Sequence, residues 1–216
     1  MKKHSKILLV LVCALMLVVG SVMGTLAYLT SQDSVVNTFT VGKVAITLDE
    51  AKVDANGVAV SPEERVKENA YHLLPGHVYH KDPTVTVLKD SEDVYVRMLV
   101  TVTDLDDLKA ALPATYVENG VFLLEKLVTG WNRTDWQVAS VNGNVYEFRY
   151  KEIVPKNTAD DTPLPELFTT ISLPGAEINN AELESLAQLK ITVVAQAIQA
   201  DGFDTAELAW AQFPTT

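Results

Sequence analysis

The sequence predicts an all-β protein: an antiparallel, jelly-roll-like β-sandwich with a few short helices in the connections. Apolar residues alternate with polar ones between Glu92 and Thr103, the pattern of a strand with one buried face. The pair Asn142-Gly143 separates two further alternating segments, as in a β-hairpin. Segments with a helical pattern are short and lie between strands, which favours a sandwich over a parallel α/β fold.

The chain begins with lysines and continues with an apolar run from Ile7 to Met23. Small residues follow at Thr25 and Ala27, the third and first positions before Tyr28. A basic start, an apolar middle and a small-residue exit form a secretory signal peptide. We expect a signal peptidase to cut between Ala27 and Tyr28, so that the chain is secreted and meets a membrane only before cleavage. The alternative is an uncleaved membrane anchor, because the run reaches the lower length limit of a spanning helix.

Composition restricts the partners and the chemistry of the exported chain. The only cysteine is Cys13, so residues 28–216 contain no disulfide and no Cys-based site. Lysines but no acidic residues leave with residues 1–27, so the net charge falls from −11 to −14. That charge disfavours nucleic acid and anionic membrane surfaces as partners. The length that remains suits a single domain with one core.

The segment after the cleavage site is strand-like but changes phase. Its apolar positions are Phe39 and Val41 before the change, and Val44, Ile46 and Leu48 after it. One regular strand cannot bury both sets, so the sequence predicts either a β-bulge near residues 42–43 or two separate strands. We therefore divide the chain into a signal peptide at 1–27, an N-terminal strand segment at 28–43 and a sandwich domain at 44–216.

Later strands are predicted where apolar residues alternate or cluster between turn residues. These strands are Thr84–Leu88, Glu92–Thr103, Trp136–Val141, Val145–Lys151, Leu167–Leu173 and Leu189–Ala200. In the last of them Ile191 and Val193 face one way and Val194 faces the other, which predicts a strand covered on both sides.

Short helices are predicted where start and stop residues bracket a few turns. Asp104–Leu112 begins with acidic residues and ends before Pro113, and Asn180–Gln188 opens with an asparagine cap. The other two predicted helices are Val121–Val128, which ends before Gly130, and Asp204–Trp210.

Residues 24–30 and 37–42 resemble the signal peptide and N-terminus of the TasA–camelysin family, exported proteins of Gram-positive bacteria that a dedicated signal peptidase cuts. Leu74-Pro75-Gly76 is similar to the family's lead into its next strand. The resemblance covers most of the chain but is specific mainly at residues 24–48. The chain departs from the family at Tyr28-Leu29, where other members more often have phenylalanine in the second place.

The resemblance implies a jelly-roll fold, a place in the extracellular biofilm matrix, and subunits that assemble into fibres. The freed N-terminal segment would lie as a donor strand in the sheet of the next copy or of a related matrix subunit. Such a head-to-tail contact does not close and generates a filament. The donor residues would be Tyr28, Leu29, Phe39, Val41 and Gly42. Two alternatives stay open: the segment pairs within its own domain, or it forms a flexible tail.

The family also includes camelysin, which carries the label of a metalloprotease. A zinc protease usually has a His-Glu-x-x-His motif on a helix, and this sequence lacks it. The exported chain has three histidines, His72, His77 and His80, which are weak candidates for metal ligands. Pro75 and Gly76 argue against a helix there, and on a strand His77 and His80 point to opposite faces. We predict no catalytic residue and no cofactor.

A carbohydrate-binding module is a further alternative, because aromatic side chains can form a platform for sugar rings. Sandwich cores use the same side chains, and these residues fall in alternating strands, which favours a core role. The candidates are Trp131, Trp136, Tyr146, Phe148, Tyr150 and Trp210.

Overall fold

The computed structural model describes residues 2–27, 41–175 and 177–213. The chain divides into two compact units, Met1–Val41 and Gly42–Thr216. The first unit holds a single described element, helix α1 (Lys2–Ala27), whose apolar side chains at residues 7–12 are exposed. A search of the described residues finds no helix with the length and hydropathy needed to cross a membrane.

The second unit is built from short strands and a few short helices. Its strands are β1 (Ile46–Ala51), β2 (Arg65–Val66), β3 (Val78–His80), β4 (Thr84–Val87), β5 (Val94–Val102), β6 (Val117–Glu118), β7 (Val121–Phe122), β8 (Val128–Thr129), β9 (Trp136–Asn142), β10 (Val145–Tyr150), β11 (Thr162–Pro163), β12 (Thr170–Ser172) and β13 (Ile191–Gln199). Its helices are α2 (Leu105–Ala111), α3 (Asn180–Ser185) and α4 (Ala206–Ala211), with single 3₁₀ turns at Ala114–Tyr116 and Leu124–Lys126.

The central sheet has the strand order β13-β5-β10-β9, and every pair is antiparallel. The even positions of β5, from Val94 to Val102, are fully buried, and the odd positions between them are half-buried. The predicted alternation is therefore confirmed. One face of β5 carries the core, because a strand directs successive side chains to opposite faces.

The hairpin predicted at Asn142-Gly143 is also confirmed. β9 and β10 pair from Asn142 opposite Val145 to Trp136 opposite Tyr150, and Gly143 has a φ of 59°. The pairing shifts by one residue within β9, where Val138 lies opposite Phe148 but Ser140 lies opposite Glu147. This irregularity is a β-bulge at Ala139.

Three further sheets of the described residues complete the sandwich-like arrangement, with strand orders β11-β4-β1-β2, β3-β12-β8 and β6-β7. Val85 and Val87 of β4 join the buried face of the central sheet in one hydrophobic core. The connection before β12 adds Leu167 and Phe168, which are both fully buried. The predicted all-β, antiparallel, sandwich-like fold with short helices is thus what the structure has.

The helix predicted at Val121–Val128 is wrong. That segment contains β7, a 3₁₀ turn and β8. Asn119 and Gly120 have φ of 51° and 82°, and they turn the chain between β6 and β7. Asn-Gly favours this left-handed two-residue turn, so the same signal that marks the longer hairpin is also present here. Phe122, Leu124 and Leu127 are buried at a spacing that resembles one face of a helix. Their backbone is instead a short strand followed by a turn, so the spacing gives a false helical signal.

Two strand predictions also need correction. The strand predicted at Leu167–Leu173 is confined to β12, because Leu167 and Phe168 fill the core from a loop instead of a ladder. β13 is not covered on both sides, since Val194 is 45% exposed. The other helices begin near their predicted starts, and Asn179 caps α3 in a capping box with Glu182.

The phase change near residues 42–43 falls in irregular backbone. Residues 41–45 belong to no strand, and the N–H of Glu92 donates to the carbonyl of Lys43 at 2.9 Å. A bulge inside one continuous strand is therefore not what separates Val41 from Ile46. Lys43 is hydrogen-bonded to the turn before β5, and β1 begins three residues later, at Ile46.

Candidate functional site

The second unit has a groove of about 920 Å³ whose lining includes residues of β1 and of β13. We call it the β1–β13 groove. Leu48 and Asp49 line one side, and Ile191 and Val193 line the other. Apolar side chains of β12, α3 and their neighbours also line it: Leu127, Ile171, Leu173, Leu183 and Leu186. Charged side chains line it as well, among them Lys67, Glu68 and Lys190. A partly apolar groove beside two strand edges has a shape that fits an extended peptide segment.

β13 forms one side of the groove with an edge that no described strand pairs with. At its two ends, Thr103 donates to the carbonyl of Lys190 at 2.9 Å, and Ala200 donates to the carbonyl of Asp93 at 2.7 Å. Even-numbered residues thus direct their main-chain groups to the β5 side. In an antiparallel ladder the residues between them point the other way. Ile191, and every second residue after it, therefore presents its N–H and C=O at the free edge.

β1 forms the other side of the groove. Its odd positions bond to β4, as the 3.0 Å contact from the Leu88 N–H to the Ala45 carbonyl shows, so Ile46 and Leu48 direct their main-chain groups away. The ammonium of Lys67 donates to the Leu48 carbonyl at 2.5 Å. A lysine side chain therefore occupies an acceptor that an added strand would otherwise use.

A buried ion pair forms part of the lining of the groove. Lys81 and Glu50 are 2.6 Å apart, and both side chains are only 9% exposed. Asn69 donates to the other oxygen of Glu50 at 3.0 Å and to the Ala51 carbonyl at 2.9 Å. Burial raises the pKa of the neighbouring Tyr71, and the negative charge of Glu50 raises it further. Each buried charge here has a partner, which is the condition for tolerating it.

The side chain of Arg65 links β2 to β1 and to the residues that precede β4. Its guanidinium contacts Asp49 at 2.9 Å and Asp82 at 2.5 Å. Partial burial by itself lowers the pKa of Arg65, but the hydrogen bonds to these two carboxylates outweigh burial and raise it. The main-chain N–H of Ala51 donates to the same Asp82. The end of β1 is thus held in place by a network of charge-assisted hydrogen bonds.

The residues predicted for cleavage and strand donation lie mostly outside the second unit. Thr25 and Ala27 fall in the last turn of α1. Tyr28, Leu29 and Phe39 lie outside the described residues. Val41 is 98% exposed, and the second unit begins at Gly42.

The three histidines have separate neighbours. His77 Nε2 lies 2.6 Å from the Asn56 carbonyl, and His80 Nε2 lies 3.5 Å from Asp82 Oδ1. His72 is exposed, and its carbonyl accepts from the Tyr79 hydroxyl. Within residues 2–27, 41–175 and 177–213, no group of three or more His, Cys, Asp or Glu residues is arranged to hold a metal ion.

The aromatic candidates for sugar binding are largely core residues. Trp136 is 1% exposed, donates from Nε1 to the Pro165 carbonyl at 2.9 Å and packs edge-on against Tyr150. Phe148 is fully buried against Trp131. The Tyr146 hydroxyl donates to the Phe122 carbonyl, and burial raises its pKa to about 12. The core role favoured by the alternation of these side chains is confirmed.

Sequence reasoning placed β13 but missed the groove beside it. The odd positions of β13 carry small and branched residues, a pattern that fits one face of a doubly covered strand as well as the side of a groove. Lys67 carried no signal, because a lysine in a loop normally indicates only a solvated surface.

Comparison with known proteins adds no relative: no family model, no curated protein and no solved structure matches this chain.

Proposed function

We propose that this protein is a secreted structural subunit of extracellular filaments, assembled by insertion of the N-terminal segment of one copy into the β1–β13 groove of the next. The observation that carries the proposal is the free edge of β13 above an apolar groove. Main-chain groups on that edge offer hydrogen bonds, and the groove offers room for alternate side chains. The resemblance of residues 24–48 to the TasA–camelysin family points to the same class of protein.

The chain also carries a segment suited to fill the groove. Phe39 and Val41 alternate with Thr38 and Thr40, so a strand there has one apolar and one polar face. Val41, at the end of this segment, is 98% exposed. Cleavage after Ala27 would free this segment from the tether that residues 1–27 provide before export.

Donor and acceptor are different surfaces of the same chain. A contact between unlike surfaces repeats head to tail, so it builds an open polymer. The net charge of −11 opposes assembly at neutral pH, and removal of the three lysines of residues 1–27 makes the charge more negative. We expect faster polymerisation as the pH falls and the carboxylates become protonated.

The decisive test is electron microscopy and sedimentation of protein that begins at Tyr28. We expect filaments from this chain and none from a chain that lacks residues 28–42. The shortened chain keeps its groove, so it should cap growing ends and shorten filaments when mixed with the longer one. Filaments formed by the shortened chain alone would contradict the proposal.

A matched pair of double variants tests which face of the donor enters the groove. Phe39→Asp with Val41→Asp should abolish filaments, because two charges would have to enter an apolar channel. Thr38→Asp with Thr40→Asp adds the same charge on the other face and should leave filaments in place. Equal loss in both variants would show that added charge, not the buried face, prevents assembly.

A further inference from the structure

The second edge of the central sheet is the exposed side of β9. β9 pairs only with β10 among the described strands, and residues 137–142 are all exposed. Those six residues carry no charge, in a chain with a net charge of −11. Edge strands are usually protected by lysine, proline, a β-bulge or a covering loop, and among the described residues this one has only the bulge at Ala139.

The bulge at Ala139 gives this edge an apolar stripe. Val138 and Val141 are three residues apart, so a regular strand would direct them to opposite faces. Val138 lies opposite Phe148 and Val141 lies opposite Tyr146, and both aromatic side chains belong to the core face. Both valines therefore sit on the core side, yet Val138 is 54% exposed and Val141 is 39% exposed. The core is incompletely covered along β9.

The sequence of this edge is self-complementary. Residues 137–142 read Gln-Val-Ala-Ser-Val-Asn, and the reversed order has the same chemical pattern: amide, valine, small, small, valine, amide. Antiparallel pairing of two copies about the midpoint of Ala139 and Ser140 places Gln137 opposite Asn142. The same register places Val138 opposite Val141, and directly opposite side chains are in contact.

We propose that the β9 edges of two copies of this chain pair antiparallel and join two central sheets into one. The contact is the same surface on both copies, so it closes after two and forms a symmetric dimer. No charge faces a like charge across it, which suits a second copy of an acidic chain. The pairing needs neither the groove nor the N-terminal segment, so it is independent of the proposed filament contact.

Sedimentation of the chain that begins at Tyr28 tests the pairing, at concentrations too low for filaments. We expect a monomer–dimer equilibrium that Val138→Lys weakens at least about 100-fold, because two ammonium groups would face an apolar stripe. Val121→Lys adds the same charge at a valine that is 42% exposed on β7, and should leave the equilibrium unchanged. A monomer at every concentration, or equal weakening by both variants, would overturn the proposal.

Disulfide trapping tests the register directly, since residues 28–216 contain no cysteine. One preparation carries Gln137→Cys and the other carries Asn142→Cys. A disulfide needs Cα atoms within about 7 Å, which the register provides only between unlike variants. Like variants lie five residues apart along the pair, about 17 Å. We expect cross-linked dimers in the mixture and not in either preparation alone. Dimers of like variants only, or no cross-link, would overturn the register.

Discussion

The two edges of the central sheet differ in what lies beneath them. Beside β13 lies an apolar groove with a lysine and a buried ion pair at its margin. β9 is instead an uncharged strand whose valines are only half covered. One edge thus offers a shaped channel that a different segment must fill, and the other offers a surface that matches itself. Under the two proposals, one edge of the sheet would form an open, repeating contact and the other would form a closed one.

The largest expected effect is a charge in the groove. Val193→Lys should abolish filaments or raise their critical concentration at least about 100-fold, because an unpaired ammonium would be buried by the inserted strand. Val194→Lys is the matched control on the same strand, since its side chain points to the exposed face. Electron microscopy and pelleting measure both. If Val193→Lys formed filaments at the wild-type concentration, the groove would not be the site that the inserted strand occupies.

Next in size is the effect of the buried ion pair in the lining of the groove. Lys81→Met leaves Glu50 buried without its cation and should lower the free energy of unfolding by about 3–5 kcal/mol. Lys52→Met removes an exposed pair with Glu64 and should change it by less than about 1 kcal/mol. Urea unfolding of both variants measures the difference. Equal effects would show that the pair at the groove is no more important than a surface pair.

On the β9 side, the corresponding charges are those around Glu147. Burial by itself raises the pKa of Glu147, but Arg149 and Arg97 outweigh burial and lower it. A lowered carboxylate pKa stabilises the fold at neutral pH, and this contribution is lost as acidification protonates the group below its ordinary range.

Glu147→Gln should therefore cost about 1–2 kcal/mol at pH 7 and less at pH 3, which lies below the ordinary range of a glutamate carboxylate. Thermal unfolding across this pH range measures the slope. A variant whose deficit is the same at both pH values would show that the carboxylate charge is not the stabilising feature.

The smallest expected effect concerns Lys67, whose ammonium donates to the Leu48 carbonyl on the β1 edge. Lys67→Met should shorten the lag of polymerisation several-fold, because one acceptor on the β1 edge becomes available without displacing a side chain. Lys109→Met removes a similar contact with the Gly120 carbonyl, away from the groove, and should leave the lag unchanged. Light scattering follows both. A longer lag in Lys67→Met would show that the lysine assists insertion.

Much of the strand content was predictable because local patterns report one buried face. The alternation in β5 and the Asn-Gly turn before β10 are both local, and both were confirmed. The segment at Val121–Val128 was mispredicted because its apolar side chains enter the core from turns, where spacing does not report backbone conformation. Asn119-Gly120 was the local signal that would have corrected it.

The sequence by itself determined the chemistry of the chain: an acidic, cysteine-poor sandwich with an apolar N-terminal run and an aromatic hairpin. It also determined the self-complementary pattern of residues 137–142, which depends only on the order of the amino acids. Only the tertiary structure decided that Val138 and Val141 share a face, because the bulge depends on the partner strand. It alone decided that β1 and β13 leave a groove between them, since strand order and free edges arise from pairings between residues far apart in the chain.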